Sequence, residues 1–175
     1  MVLPMNDVQK QCLLAALGYY PHREIDGIWG SKSRSALAAF EADHPGKTLQ
    51  QAVMDLKEDF WATIQHWKRE EFRCRCGGKY CSGFPAEPDR TLVELVDDIR
   101  HDLGAPGIPS SGLRCTRHNA NSGGVSNSRH LYGKALDFMV QGVSAQTLYD
   151  RARSDPRTNY TYIIGDGPYV HVDVA

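Results

Sequence analysis

Asp137 is the residue that most restricts how this chain can fold. It stands in the run Ala135-Leu136-Asp137-Phe138-Met139-Val140 as the one charged residue of an apolar stretch. A carboxylate in such a place is costly unless a cation pairs with it. Alternation puts Ala135, Asp137 and Met139 on one strand face and Leu136, Phe138 and Val140 on the other. The segment therefore reads as a strand that carries its carboxylate to a cation.

His130 lies seven residues earlier, and Gly133 lets the chain turn before the strand begins near Ala135. A last strand-like segment, Tyr169-Val170-His171-Val172-Asp173, puts His171 and Asp173 on one face with Val170, Val172 and Val174 opposite. Two imidazoles and a carboxylate suit zinc and can leave one coordination position for water. An open site of that kind does hydrolysis, because bound zinc lowers the pKa of its water and polarises a carbonyl. The helix-borne signature H-E-x-x-H is absent, so the ligands would come from strands and a loop. Taken singly, each motif also fits a surface loop or an ordinary edge strand. Their joint occurrence, with Arg114 and Ser128 nearby in sequence, points to a site for one catalytic zinc ion on His130, Asp137 and His171.

At these residues the chain resembles a known family. S-x-H-x-x-G-x-A-x-D from Ser128 to Asp137, followed by the late His171-Val172-Asp173, is similar to the zinc D-Ala-D-Ala peptidases, a group with D,D-carboxypeptidases and many phage endolysins. Their fold also resembles the Hedgehog signalling domain. Upstream, Ser111-Gly112-Leu113-Arg114, with His118-Asn119 following, resembles that family's S-G-x-R segment. The resemblance runs from about Phe72 to Ala175. It implies that His130, Asp137 and His171 bind zinc, that Arg114 faces the scissile carbonyl, and that Ser128 helps to hold the substrate. An always-charged guanidinium suits that role, since it stabilises an oxyanion or grips a carboxylate. A structural arginine paired with an acid is the competing reading.

The general base departs from the better-known members. Several of them carry an acid three residues before the last histidine, where this chain has Pro168. Asp173, on the strand face of His171, and Asp166, in the turn Gly165-Asp166-Gly167-Pro168, are the two substitutes. Asp173 could equally orient His171, and Asp166 could equally be a turn residue.

The N-terminal third has a different pattern. Val8, Cys12, Leu13, Ala16 and Leu17 recur at helical spacing, and Gly18 ends the run. Tyr19-Tyr20-Pro21 and Ile25-Asp26-Gly27-Ile28-Trp29-Gly30 follow, and Ser31 is the expected N-cap of a second helix with Leu37 and Phe40 inward. From about Asn6 to Ala42 this resembles the small three-helix peptidoglycan-binding module, most closely in I-D-G-I-W-G. The resemblance implies an anchor on cell-wall glycan or stem peptide. Trp29 is expected in the small core, because so short a module needs large side chains to bury; Tyr19 and Tyr20 fit either core or ligand contact. Beyond it, Leu49, Val53, Leu56, Phe60, Ile64 and Trp67 continue at helical spacing, which predicts one amphipathic connecting helix through about Trp67. Its polar face carries both signs of charge, so it lacks the basic excess of a membrane-surface helix.

Cys74, Cys76 and Cys81 lie close together, and Cys115 follows Arg114. A second, structural zinc on three or four of them is one reading, although C-x-C-x4-C is not a usual knuckle spacing. A disulfide such as Cys81 to Cys115 would need an oxidising destination. Buried free thiols beside the site are the expectation. Arg73, Arg75 and Lys79 read as a solvated rim rather than a nucleic-acid patch, since the net charge is −1.

The 175 residues, 41% of them hydrophobic, leave room for one core plus a small module. No apolar run reaches the length of a membrane span, and Met1 to Met5 lacks the basic start and apolar core of a signal peptide. An enzyme acting on the wall would then accumulate in the host cytoplasm until a holin-type release, as phage endolysins do.

Thr91 to Leu103 is a predicted helix with Leu92, Leu95, Val96, Ile99 and Leu103 inward and Gly104 as its stop. Ser144 is expected to cap another carrying Leu148, and strands are expected at 135–140, 160–164 and 169–174. The whole is α+β: a helical peptidoglycan-binding module at 1–47, a connecting helix at 48–71, and a Hedgehog-like, D-Ala-D-Ala-peptidase-like domain at 72–175, whose mainly antiparallel sheet is flanked by helices. The expected function is that of a monomeric, zinc-dependent peptidoglycan hydrolase. It would cut a stem-peptide or crosslink bond as an endopeptidase, with Arg114 and Asp173 or Asp166 catalytic and Ser128 on the substrate. It would insert in no membrane and bind no nucleic acid. A D-Ala-D-Ala carboxypeptidase, a non-catalytic wall-binding protein with a structural metal, and a Hedgehog-like interaction domain are the alternatives.

Overall fold

The computed structural model describes residues 5–175. The chain divides into two compact units, one running to Thr63 and the other spanning Ile64–Ala175.

Among the described residues the first unit holds three α-helices, α1 (Asp7–Ala16), α2 (Ser31–Asp43) and α3 (Leu49–Thr63). Asn6 opens α1 through a capping box with Gln9, which satisfies two of the amides that a helix start leaves free. The buried face of α1 is Gln11, Leu14 and Ala15; of the predicted stripe, Leu13 and Leu17 pack against this core half-buried, while Val8 is 45% exposed and Cys12 and Ala16 also face water. The reason is Gln11. Its amide group donates to Asp26 Oδ1 (3.0 Å) and the Ile28 carbonyl (3.1 Å), while its oxygen accepts from the Gly27 amide (2.8 Å). A polar side chain thus takes the inward position and ties the I-D-G-I turn to α1. Tyr20, Phe40, Leu49 and Ala52 complete the core with Leu14, and Tyr19, Trp29 and Leu37 pack at its edge. Ser31 is the first helical residue of α2, and Gly30 holds the cap position.

The expected helix through Trp67 stops at Thr63. Thr63 Oγ1 donates back to the Phe60 carbonyl at 2.7 Å. The next amides do not continue the helical ladder; those of Gln65 and His66 donate to the Asp97 carboxylate at 3.1 and 2.7 Å. Trp67 is buried in the second unit, where its Nε1 donates to the Val96 carbonyl at 3.0 Å. The periodicity was real but belongs to two structures.

The second unit is a four-stranded antiparallel sheet in the order β1-β2-β4-β3. The strands are β1 (Gly107–Ser111), β2 (Ala135–Val140), β3 (Thr158–Ile163) and β4 (Val170–Val174). β1 was not expected, because Pro109 breaks its pattern; it lies at an edge, where a missing amide is tolerated. Helix α4 (Arg90–Leu103) buries Leu92, Val93, Leu95, Val96 and Ile99 and ends at a left-handed Gly104. Its Asp89 N-cap accepts from Thr91 and Leu92. Helix α6 (Ala145–Ser154) starts at Ser144, whose hydroxyl accepts from Thr147, and buries Leu148. A short α5 (Thr116–Asn121) lies between β1 and β2. Both α4 and α6 pack against the sheet, while Leu136, Phe138, Val170 and Val172 are fully buried in it. Asp137, His171 and Asp173 alternate with these residues and project from the opposite face. Among the described residues no helix is long and apolar enough to cross a membrane.

Candidate metal centre

One row of paired residues crosses the sheet: Ser111 opposite Asp137, Asp137 opposite His171, and His171 opposite Tyr162. Each strand contributes one side chain. His130 reaches the same place from the turn Arg129–Tyr132 that precedes β2. That turn closes at Gly133, with φ +73°, and a Cβ there would lie 2.3 Å from the Glu87 carbonyl oxygen. Only glycine fits both the left-handed backbone and the close approach.

The structure brings His130, Asp137 and His171 together, all buried, with one donor atom from each within 4.8 Å of the others. Asp137 Oδ1 lies 2.7 Å from His171 Nδ1 and 3.3 Å from His130 Nε2. Each imidazole has its other nitrogen engaged. His130 Nδ1 donates to the Gly112 carbonyl at 2.6 Å, and His171 Nε2 lies 3.2 Å from Asp173 Oδ2. Metal-binding histidines are commonly held in this way, with one nitrogen fixed by a carbonyl or carboxylate and the other aimed at the ion. The donor set and its outer supports fit zinc.

The electrostatics agree. Burial works to raise the Asp137 pKa, yet hydrogen bonds from His130 and His171 and their charge hold its carboxyl well below the usual range. For His171, burial opposes the charged ring, but Asp137 and then Asp173 raise its pKa above the ordinary value. A buried anion facing two imidazoles is a place prepared for a cation.

Arg114 is not directed at open space. Its NH2 donates to Asp137 Oδ2 at 2.8 Å and its Nε to Ser111 Oγ at 2.7 Å. Ser128 begins the turn carrying His130, and its hydroxyl caps no amide there. Asp173 has both oxygens engaged, the second accepting from Asn159 Nδ2 at 2.8 Å. Asp166 is exposed in the loop between β3 and β4.

Sequence reasoning missed Tyr162 and Asn159, and, although it singled out the Ser111–Arg114 segment, it did not foresee the contacts of Ser111 Oγ with Arg114 and of the Gly112 carbonyl with His130. Tyr162 stacks on His171 with ring centres 4.9 Å apart and planes at 28°. Burial and then the Asp137 charge push its phenol up. Strand alternation from Tyr160 would have placed Tyr162 beside the site, had the β3–β4 register been known.

A buried His/Asp/His centre, with Asp137 and His171 on the middle strands of an antiparallel sheet and His130 on the turn before β2, defines a metallohydrolase-type site. The chain belongs to the peptidase M15 family, whose model matches residues 65–173. It is also similar to the zinc D-Ala-D-Ala carboxypeptidase of Streptomyces albus G, at 27% identity over 160 residues, 85% of this chain. That span is longer than the second unit, so the similarity reaches into the first. The chain covers 62% of the length of that relative.

Proposed function

We propose that the protein is a zinc-dependent peptidase of bacterial peptidoglycan, of the wall-lytic endolysin type, that cuts a peptide bond in the stem peptide or its crosslink. The observation that carries this reading is the His130–Asp137–His171 cluster with its outer supports Gly112 and Asp173. His130 through Nε2, Asp137 and His171 through Nδ1 would hold the ion. Bound zinc supplies Lewis acidity, activating a water and polarising the carbonyl to be cut.

The chain's own residues do the rest. Asp173 keeps His171 in one tautomer and orientation, since both its oxygens are occupied; it is a positioning residue. Asp166, exposed on its loop, is the better candidate to accept the proton of the attacking water and return it to the leaving amine. Arg114, fixed by Ser111 and Asp137, supplies positive charge for the oxyanion. The Ser128 hydroxyl, half-buried at the lip of the turn, is the proposed substrate contact. The first unit, through its resemblance to wall-binding modules, would hold the enzyme on its polymer.

The reading is tested by mass spectrometry of peptidoglycan digested by the zinc-loaded protein beside His130→Ala. New amino and carboxyl ends that vanish in the control support it, and their identity names the bond. An unchanged digest with a folded, metal-loaded protein would leave a wall-binding protein. A second reading, trimming of a terminal D-Ala, is favoured by the name of the Streptomyces relative; it predicts release of free D-Ala with crosslinks intact.

A further inference from the structure

Outside this centre, Cys74, Cys76, Cys81 and Cys115 offer four sulfurs that all lie within 4.8 Å of one another. Among the described residues no two cysteines are joined in a disulfide. The four come from places far apart in sequence, three from the loop after Phe72 and one from the start of α5. Cys74 and Cys115 are buried and Cys76 and Cys81 half-buried, which departs from the expectation of uniformly buried thiols.

We infer that these four cysteines form a second, structural zinc site that fastens the Cys74–Cys81 loop to the segment carrying Arg114. Zinc bound by four thiolates at about 2.3 Å sets its sulfurs roughly 3.8 Å apart, and Cys76 Sγ and Cys81 Sγ stand 3.5 Å apart. Backbone amides already point at the sulfurs: that of Cys115 donates to Cys74 Sγ at 3.3 Å and that of Gly83 to Cys81 Sγ at 3.4 Å. Such N–H···S bonds are the support that thiolate ligands need. Binding displaces the four thiol protons and leaves a centre of net charge −2. The loop suits that charge, because Arg73, Arg75 and Lys79 interrupt the cysteines with no acid from Phe72 to Cys81. Cys74, Leu113 and Cys115 form a buried apolar cluster against which Cys76, Cys81, Tyr80 and Phe84 pack, which limits access of water to the site.

The site has a structural consequence for the first centre. Leu113 donates its amide to the Phe72 carbonyl at 2.7 Å, and a Cβ on Gly112 would lie 2.5 Å from that same oxygen. The cysteine site would clamp both segments at this crossing, and Gly112 and Arg114, which hold His130 and Asp137, lie on one of them.

The test counts metal in the full-length protein made with zinc and without chelator. Elemental analysis is expected to give two zinc ions per chain, falling to one in His130→Ala/His171→Ala and to one in Cys76→Ser/Cys81→Ser. Because the cysteine variant could fail to fold, the histidine double variant is also loaded with cobalt. Intense thiolate-to-cobalt charge-transfer absorption from that variant supports the site. Only weak d–d bands, iron in place of zinc, or an intact mass lower by the hydrogens of two disulfides would overturn it. The histidine variant is inactive under the proposed function, so the cysteine site stands or falls independently of it.

Discussion

Asp137 and His171 face each other as a register pair on adjacent strands, and Asp137 Oδ1 approaches His171 Nδ1 to 2.7 Å. The pairing is fixed by the backbone ladder, so the distance between two candidate ligands does not depend on a loop. Groups placed by strands are held more precisely than groups on loops, which a metal site requires. His130 is the one member brought in by a turn, and the Gly112 carbonyl removes the freedom this would give its ring.

Asp173→Asn tests the outer support. An amide in place of the carboxylate no longer favours one tautomer of His171, and losses of about 10–100-fold in metal affinity are typical for such partners. Competition with a chromophoric chelator should show that loss, with secondary structure unchanged. Wild-type affinity with a large drop in turnover would instead make Asp173 the proton carrier.

Gly133→Ala should destabilise the second unit by about 2 kcal/mol or more, since φ is +73° and a left-handed alanine is strained before any clash. The Glu87 carbonyl lies where the new methyl would go. Urea denaturation measures the cost, and a loss below 1 kcal/mol would show that the turn can rearrange.

Gln11→Ala should cost the first unit about 2–3 kcal/mol, because the Gly27 amide and Ile28 carbonyl lose buried partners. Chemical denaturation followed by Trp29 fluorescence is the measurement. Val8→Ala, at an exposed position, should change stability by no more than about 0.5 kcal/mol.

Asp155 predicts how stability depends on acid. Hydrogen bonds from Arg157, outweighing the effect of burial, hold its carboxyl well below the usual range. It bonds Arg157 at 2.8 Å and Arg151 at 3.3 Å. A depressed folded-state pKa contributes stability that is complete above the unfolded value of about 3.9 and is lost as pH falls towards the folded value. Asp155→Asn should therefore destabilise at neutral pH and flatten the fall in stability below about pH 4. Parallel wild-type and variant curves between neutral pH and pH 3 would contradict this.

Local pattern determined a good deal. The charge inside an apolar strand marked Asp137, alternation put His171 and Asp173 on one face, and helical spacing with its terminal glycine outlined α4. These features depend on residues a few positions apart, which the sequence displays directly. Other features required the tertiary structure. Gln11 turns inward because its partners lie on the 26–28 turn, and Pro109 sits in a strand because that strand is at an edge. Trp67 leaves the helical pattern because Asp97, some thirty residues on, takes the amides before it. The same distance in sequence hid the row from Ser111 to Tyr162 and the meeting of Cys115 with the Cys74–Cys81 loop. Period and composition report which face a residue can occupy; which groups meet there is decided by register and packing between segments far apart in the chain.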